Sequence, residues 1–325
     1  MFKHLYLVPI LTLVVLTSSF YVTTSKETQT SSFKTDRVII LVIDGPRYSE
    51  TFGDSTFKYI PHLGKELRKE GTLISNFSNN GPTLTISGHA AIITGRYQKL
   101  SNTGKQLPKY PSIFQYFLKE KDISKSNAWV LSSKGKLEVL GNTTYKKWWN
   151  MYPPYTYCGK NGNGADYTGD AETFAKTLEV LSSENAPKLM LVNLLAADSW
   201  GHAGKWDSYL QAIQECDEYA YKLWKFIQET PHLKNKTTLF ITNDHGRHLD
   251  GVKNGFVSHG DGCIGCRKIS FLALGPDIKR NATSNKAAEQ LDISTTIGKM
   301  LNFQVPTSKG RVLEEIFSTT TSDDF

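Results

Sequence analysis

Three stretches of this chain run apolar without a break and then stop at a carboxylate. They are "RVIILVIDG" (37–45), "KLMLVNLLAAD" (188–198) and "TTLFITNDHG" (237–246). A continuous apolar, β-branched run offers no polar face to water, so each reads as a strand buried on both faces. "NAWVLSS" (127–133) and "ISFLALGP" (269–276) repeat the shape. Helical periods lie between them. Tyr209, Ile213, Cys216, Ala220, Leu223 and Ile227 form one stripe in "YLQAIQECDEYAYKLWKFIQ". Further helices are expected over 112–120, 171–183 and 287–302, the last with Asp292 and Ser294 as internal caps. Strands alternating with helices predict an α/β fold, a mostly parallel sheet flanked by helices on both faces. No Pro-, Gly- or Ser-rich linker interrupts 26–325, so one domain is expected there.

At 325 residues the chain has ample material for such a core. The N-terminus reads differently. "MFKHLYLVPILTLVVLTSSFYVTTS" (1–25) has a short basic start, a brief apolar run and then small hydroxylated residues, the layout of a cleaved secretory signal. The run is shorter than the roughly 20 residues of a membrane span. A secreted or periplasmic protein with no span in the mature chain is therefore expected. Export permits disulfides among Cys158, Cys216, Cys263 and Cys266. Cys263 and Cys266 form a CxxC, and with no second CxxC to complete a zinc site, a local disulfide or plain thiols are expected. Asn76, Asn142, Asn235 and Asn281 stand in N-x-S/T sequons. The net charge of +7 comes from scattered lysines, which read as a solvated surface rather than a nucleic-acid patch.

In open α/β sheets the reactive site lies outside the carboxyl ends of the strands. Asp44, Asp198 and Asp244 are each expected at such an end. His202 follows Asp198 by four in a loop of small residues, His245 follows Asp244 directly, and His259 stands in the glycine-rich "GFVSHGDG". Carboxylates gathered on one edge cannot all stay ionised unless cations join them. Mixed Asp/His ligation suits zinc ahead of manganese or iron, and six ligands are too many for one tetrahedral site but natural for two. Between the first two carboxylates lies "NNGPTLTISGHAAIITGRY" (79–97), a hydroxyl-rich turn entering a small-residue helix. Thr85 falls near the helix start, where backbone N–H groups favour an anion.

In order along the chain, Asp44 after a strand, "TISGHAAIITG", "DSWGH", "NDHG", a later "HG" and the closing "LDISTTIGKML" resemble the alkaline phosphatase superfamily of two-metal enzymes. The likeness spans roughly residues 37 to 316. Its T-x-x-G-H-x-x-I-x-T-G is similar to the branch of threonine-nucleophile phosphatases and nucleotide pyrophosphatase/phosphodiesterases. The resemblance implies an alkaline phosphatase-like fold and two divalent metal ions, zinc in that family's pattern. It implies that Asp198, His202 and His259 hold one metal, and that Asp44, Asp244, His245 and Thr85 hold the other. Thr85 would be the nucleophile, passing through a phosphothreonine. Thr83, two positions earlier, competes for that role but lacks the family's spacing to Gly88-His89 and Thr94-Gly95. Asn102 in "KLSNTGK" resembles the asparagine that binds a phosphoryl oxygen.

The substrate expected is a small phosphorylated molecule, with nucleic acid entering only as a nucleotide. Monoesterases need cations beyond the metals, because a phosphomonoester leaves two charged oxygens to neutralise. "SSKGKLEVLG" (132–141) resembles the Lys-x-Arg segment of the monoester-specific branch, with Lys134 in place and Lys136 at the arginine position. Lysine there loses the bidentate fork. Phosphomonoester hydrolysis is the preferred reading. A phosphodiesterase or nucleotide pyrophosphatase, with "KKWWNMYPPYTYC" (146–158) supplying stacking rings or merely capping the sheet edge, is the first alternative. A phosphotransferase on the same residues is another, and a catalytically dead binding protein is a third. A sulfatase is nearly excluded, since "TISGH" has neither the proline nor the arginine of the C/S-x-P-x-R segment.

Overall fold

The computed structural model describes residues 1–2 and 33–318, so the expected signal segment lies outside the described residues, apart from Met1 and Phe2. Residues from 33 onward build one sheet of nine strands. These are β1 (Arg37–Ile43), β2 (Gly71–Ser78), β3 (Ala128–Ser132), β4 (Tyr155–Cys158), β5 (Leu189–Leu194), β6 (Thr237–Thr242), β7 (Lys268–Leu274), β8 (Ala282–Ser284) and β9 (Ala288–Glu289). The order is β4-β3-β5-β1-β6-β7-β2-β8, with β9 also on β2. β1 pairs in parallel with β5, from Val38 opposite Leu189, and with β6, from Arg37 opposite Thr237. β7 runs against both its neighbours, β6 and β2.

Every residue of β1 is buried, and its side chains alternate between two cores, as a strand covered on both faces requires. Val38, Ile40 and Val42 join one cluster with the helices Thr85–Thr94, Ile113–Lys121 and Gln290–Met300. Ile39, Leu41 and Ile43 join the other, with Asp170–Ser182 and Trp206–Glu229. The stripe read from the sequence is the buried face of Trp206–Glu229. Ser112 begins Ile113–Lys121 with a full capping box to Gln115.

Several boundaries differ from the sequence reading. The strand expected over 188–198 stops at Leu194, and Ala196–His202 is helical. The last helix starts at Gln290 rather than 287, because β9 takes Ala288 and Glu289 for the sheet. Asp292 serves the helix start, accepting the Glu289 N–H at 2.9 Å, while Ser294 is an interior residue donating to the Leu291 carbonyl at 3.0 Å. Asp217, on Trp206–Glu229, accepts the N–H groups of Leu63 at 2.7 Å and His62 at 2.9 Å, tying down the π-helical turn His62–Leu67. Burial pushes its carboxyl up to about 6. Among the described residues no helix is long and apolar enough to cross a membrane.

Candidate active site

The ends of β1, β5 and β6 lie side by side, and the predicted residues meet there. Asp44 directly follows β1 and is fully buried. Asn193, the penultimate residue of β5, donates from Nδ2 to Asp44 Oδ2 at 3.2 Å and is itself held by Ser132 Oγ at 2.9 Å. The next residue must be glycine. Gly45 has φ 69°, and a Cβ there would fall 2.9 Å from Asp198 Oδ1 and 2.8 Å from the Arg247 guanidinium.

Asp198 and His202 stand one turn apart on the helix Ala196–His202, not in a loop. The i,i+4 spacing puts both on one face. Buried Asp170 fixes the start of that helix, its carboxylate accepting the N–H groups of Leu195 at 2.7 Å and Ala196 at 2.9 Å. His259 arrives from the loop after β6, its Nδ1 against the Thr83 carbonyl at 2.8 Å. Three donor atoms then converge. His202 Nε2 lies 3.0 Å from His259 Nε2, and each is 3.4 Å from Asp198 Oδ1. A tetrahedral ion bound at about 2.0–2.1 Å would space its ligands by roughly 3.3 Å. These three residues fit a metal.

The second group is deeper. His245 Nε2 lies 3.1 Å from Asp244 Oδ2 and 3.6 Å from Asp44 Oδ1, and all three residues are fully buried. His245 Nδ1 is turned to the Gly246 carbonyl at 3.0 Å, which leaves Nε2 facing the carboxylates. Asp44 Oδ1, Asp244 Oδ2, His245 Nε2 and Thr85 Oγ1 are all buried without a hydrogen-bond partner. Orphaned donors and acceptors at this depth are costly unless an ion satisfies them. The His245 and His259 rings stack at 3.7 Å, so the two groups share a wall.

Charge confirms how crowded this edge is. Burial, then the neighbouring Asp44 charge, push the Asp244 carboxyl well above the usual range. Burial would also raise Asp198, but the Lys134 ammonium, the hydrogen bond to His259 and the Arg247 charge together outweigh it and hold that carboxyl well below the usual range. Lys134 Nζ sits 2.6 Å from Asp198 Oδ2 and 2.8 Å from Asp44 Oδ2. Burial opposes its charge, yet Asp198, Asp44 and Asp244 together raise it above the ordinary lysine value. Lys136 is partly buried two residues on, and burial followed by the Lys134 charge lowers it.

Thr85 opens the helix Thr85–Thr94. Asn102 reaches the same helix start, where its Oδ1 accepts the Ile86 N–H at 3.0 Å. The turn after it passes Lys136 closely: Gly104 has φ 77°, and a Cβ there would lie 2.8 Å from Lys136 Cβ. Asn102 thus meets the start of the Thr85 helix, Lys136 lies beside the turn after it, and Lys134 is on the carboxylates.

Two residues enter the site without having been read from the sequence. His89 lies among Asp44 and Asp244, its Nδ1 on the Thr85 carbonyl at 2.8 Å and its Nε2 unpartnered. Burial lowers its imidazole to about 4. Its only sequence signal is its place in "TISGH". Arg247 is fully buried, donates to Asp198 and, from Nη2, to the Val257 carbonyl at 3.1 Å. Its only signal is the position two after His245.

Residues 38–248 match the family of type I phosphodiesterases / nucleotide pyrophosphatases. No curated protein matches the chain. Solved structures share the fold at low identity. An inactive threonine-to-alanine form of murine ectonucleotide pyrophosphatase / phosphodiesterase 5, in complex with AMP, superposes with a TM-score of 0.64 at 15% identity, over 87% of this chain and 100% of that one. The alkaline phosphatase PafA gives 0.64 at 12%, over 87% and 99%. The lipoteichoic acid synthase LtaP of Listeria monocytogenes gives 0.62 at 12%, over 88% and 76%. The match over most of the sheet places this chain in the type I phosphodiesterase / nucleotide pyrophosphatase family of phosphoric ester hydrolases, on an alkaline phosphatase-like fold.

Proposed function

We propose that the chain hydrolyses small phosphoric esters through a phosphothreonine at Thr85, with phosphomonoesters preferred. Asp198, His202 and His259 would hold one zinc ion, and Asp44, Asp244, His245 and Thr85 the other. Bound there, the pair would polarise the phosphoryl oxygens and make hydroxyl and water better nucleophiles. Thr85 Oγ attacks phosphorus and loses its proton, the ester oxygen leaves in line with a proton, and water then cleaves the phosphothreonine to restore the hydroxyl. Asn102 is bound to the Ile86 amide through Oδ1, which leaves Nδ2 as its donor to a phosphoryl oxygen. The neighbour with AMP, inactive as a threonine-to-alanine form, supports a threonine in this role.

The observation that carries the monoester preference is the buried ammonium of Lys134, within 2.8 Å of both Asp44 and Asp198. A cation held at that depth is suited to the second charged oxygen of a monoester. The family description and the AMP complex favour the second reading, a nucleotide phosphodiesterase. In the aromatic segment Trp148 packs edge-on against Tyr116 at 4.6 Å, while Trp149 is 59% exposed.

Parallel rates on p-nitrophenyl phosphate and bis-p-nitrophenyl phosphate decide between them. The zinc-loaded enzyme is expected to turn over the monoester faster by about tenfold or more. Diester turnover equal to or faster than monoester turnover overturns the preference. We further infer export on the 1–25 signal and a single catalytic domain over 26–325, from the sequence pattern already described. N-terminal sequencing of the exported protein tests the cleavage.

A further inference from the structure

The loop that delivers His259 ends on a second set of donors, outside both groups described above. His248, Asp261, Cys263 and Cys266 each bring one ligand atom to within 4.8 Å of the others. His248 is only 2% exposed, and its Nε2 makes no hydrogen bond although Asp261 Oδ1 is 3.1 Å away. The opposite face of that ring is held. Nδ1 meets Asn254 Oδ1 at 3.2 Å and Ser258 Oγ at 3.4 Å, and the His248 backbone N–H donates to the Ser258 carbonyl at 3.1 Å. Outer partners of this kind fix the tautomer and aim of a metal-binding imidazole.

The other three donors are arranged in the same sense. Cys266 Sγ lies 3.6 Å from Asp261 Oδ1 and 3.2 Å from Cys263 Sγ. The Cys266 N–H reaches Cys263 Sγ at 3.4 Å, a contact that favours a thiolate. Lys253 Nζ takes Asp261 Oδ2 at 2.7 Å, so Oδ1 is the oxygen turned to the sulfurs.

We propose that His248, Asp261, Cys263 and Cys266 form a structural zinc site distinct from the two-metal centre. Two sulfurs, one nitrogen and one oxygen are a donor set zinc accepts, and four protein ligands close the coordination sphere. Zn–S bonds of about 2.3 Å and Zn–O or Zn–N bonds of about 2.0 Å would give edges of roughly 3.3 Å for N–O, 3.5 Å for S–O and 3.8 Å for S–S. The N–O and S–O separations already fit, and the sulfurs need to open by about half an ångström. The rival is the local disulfide expected from the sequence. It would draw the sulfurs to about 2.05 Å and leave a buried imidazole nitrogen unsatisfied. Zinc gives all four groups a partner and displaces the thiol protons to solvent.

The consequence is positional. The site clips residue 248 to residues 261–266, and so closes the loop that carries His259. It stands on geometry that the two-metal reading does not use, and either can fail without the other.

Cobalt substitution separates them, because the ligands assigned to the two-metal centre are nitrogen and oxygen only. Reduced full-length protein loaded with Co²⁺ is expected to show a thiolate-to-cobalt charge-transfer band. Cys263→Ser/Cys266→Ser is expected to lose that band and to bind about one equivalent of zinc fewer than the wild type. Absence of the band in the reduced wild-type protein overturns the proposal, whatever the variant does. So does peptide mapping that finds a Cys263–Cys266 disulfide persisting in zinc-loaded wild-type protein.

Discussion

Thr83 and Gly262 are joined by a hydrogen bond of 3.1 Å, from the glycine N–H to the threonine hydroxyl. Thr83 also receives His259 Nδ1 on its carbonyl at 2.8 Å. Its hydroxyl is therefore engaged in holding a loop, whereas the buried hydroxyl of Thr85 has no partner among the described residues. Of two threonines two residues apart, one is a tie and the other is free to react.

Thr85→Ala is expected to remove nearly all turnover, by a factor of about 10³ or more, while zinc content falls little. Thr85→Ser should keep partial activity, since the hydroxyl survives. Acid quench of a brief incubation and peptide mass spectrometry should find phosphate on Thr85. Phosphate on Thr83, or a Thr85→Ala enzyme with substantial turnover, rules the nucleophile out.

His202→Ala should lower zinc content and activity together, because its Nε2 is one corner of the 3.0–3.4 Å triangle with His259 and Asp198. Metal analysis beside kcat/KM checks this. Activity kept within about a factor of ten of wild type removes His202 from the ligand set.

Lys134→Ala should slow monoester turnover far more than diester turnover, the loss exceeding about tenfold for the monoester alone. Equal losses on the two substrates would mean that Lys134 serves only to neutralise Asp44 and Asp198, with which it is paired.

Asp217 gives a pH-dependent stability with a defined sign. Its folded carboxyl, pushed up to about 6 by burial, still holds a proton where an unfolded carboxyl near 3.8 has lost it. Between those values the folded state binds more protons, so stability falls as pH rises, by at most about 3 kcal/mol across the window. Asp217→Asn should flatten that part of the urea-denaturation curve between pH 4 and pH 6. An unchanged slope would show that the carboxyl titrates normally.

The strand-end carboxylates were legible because burial on both faces forces continuous apolar runs, and those runs end where the polar edge begins. Asp198 reads as a strand end and His202 as a loop residue, whereas both lie on a helix. The apolar "NLLAA" hides a change from strand to helix, since leucine and alanine suit either and only the tertiary anchor at Asp170 fixes the break. β2 was missed because "GTLISNFS" has little apolar continuity, and it is held by pairing with β7, β8 and β9. Arg247 was invisible for a different reason. A fully buried arginine depends on carbonyls of the 256–257 loop and on Asp198, partners that no local pattern announces.

The central place of β1 has a consequence for how the chain is made. Its two neighbours pair Val38 with Leu189 and Arg37 with Thr237, so both edges of β1, the first strand among the described residues, wait for partners far downstream. Until then a largely apolar ribbon stays open to mispairing, which is the situation of slow, non-local β topologies. No contiguous fragment shorter than residues 44–259 contains Asp44, Asp198, Asp244 and His259 together. A chain halted before β6 would have β1 paired with β5 on one edge only, and would lack Asp244, His245 and His259.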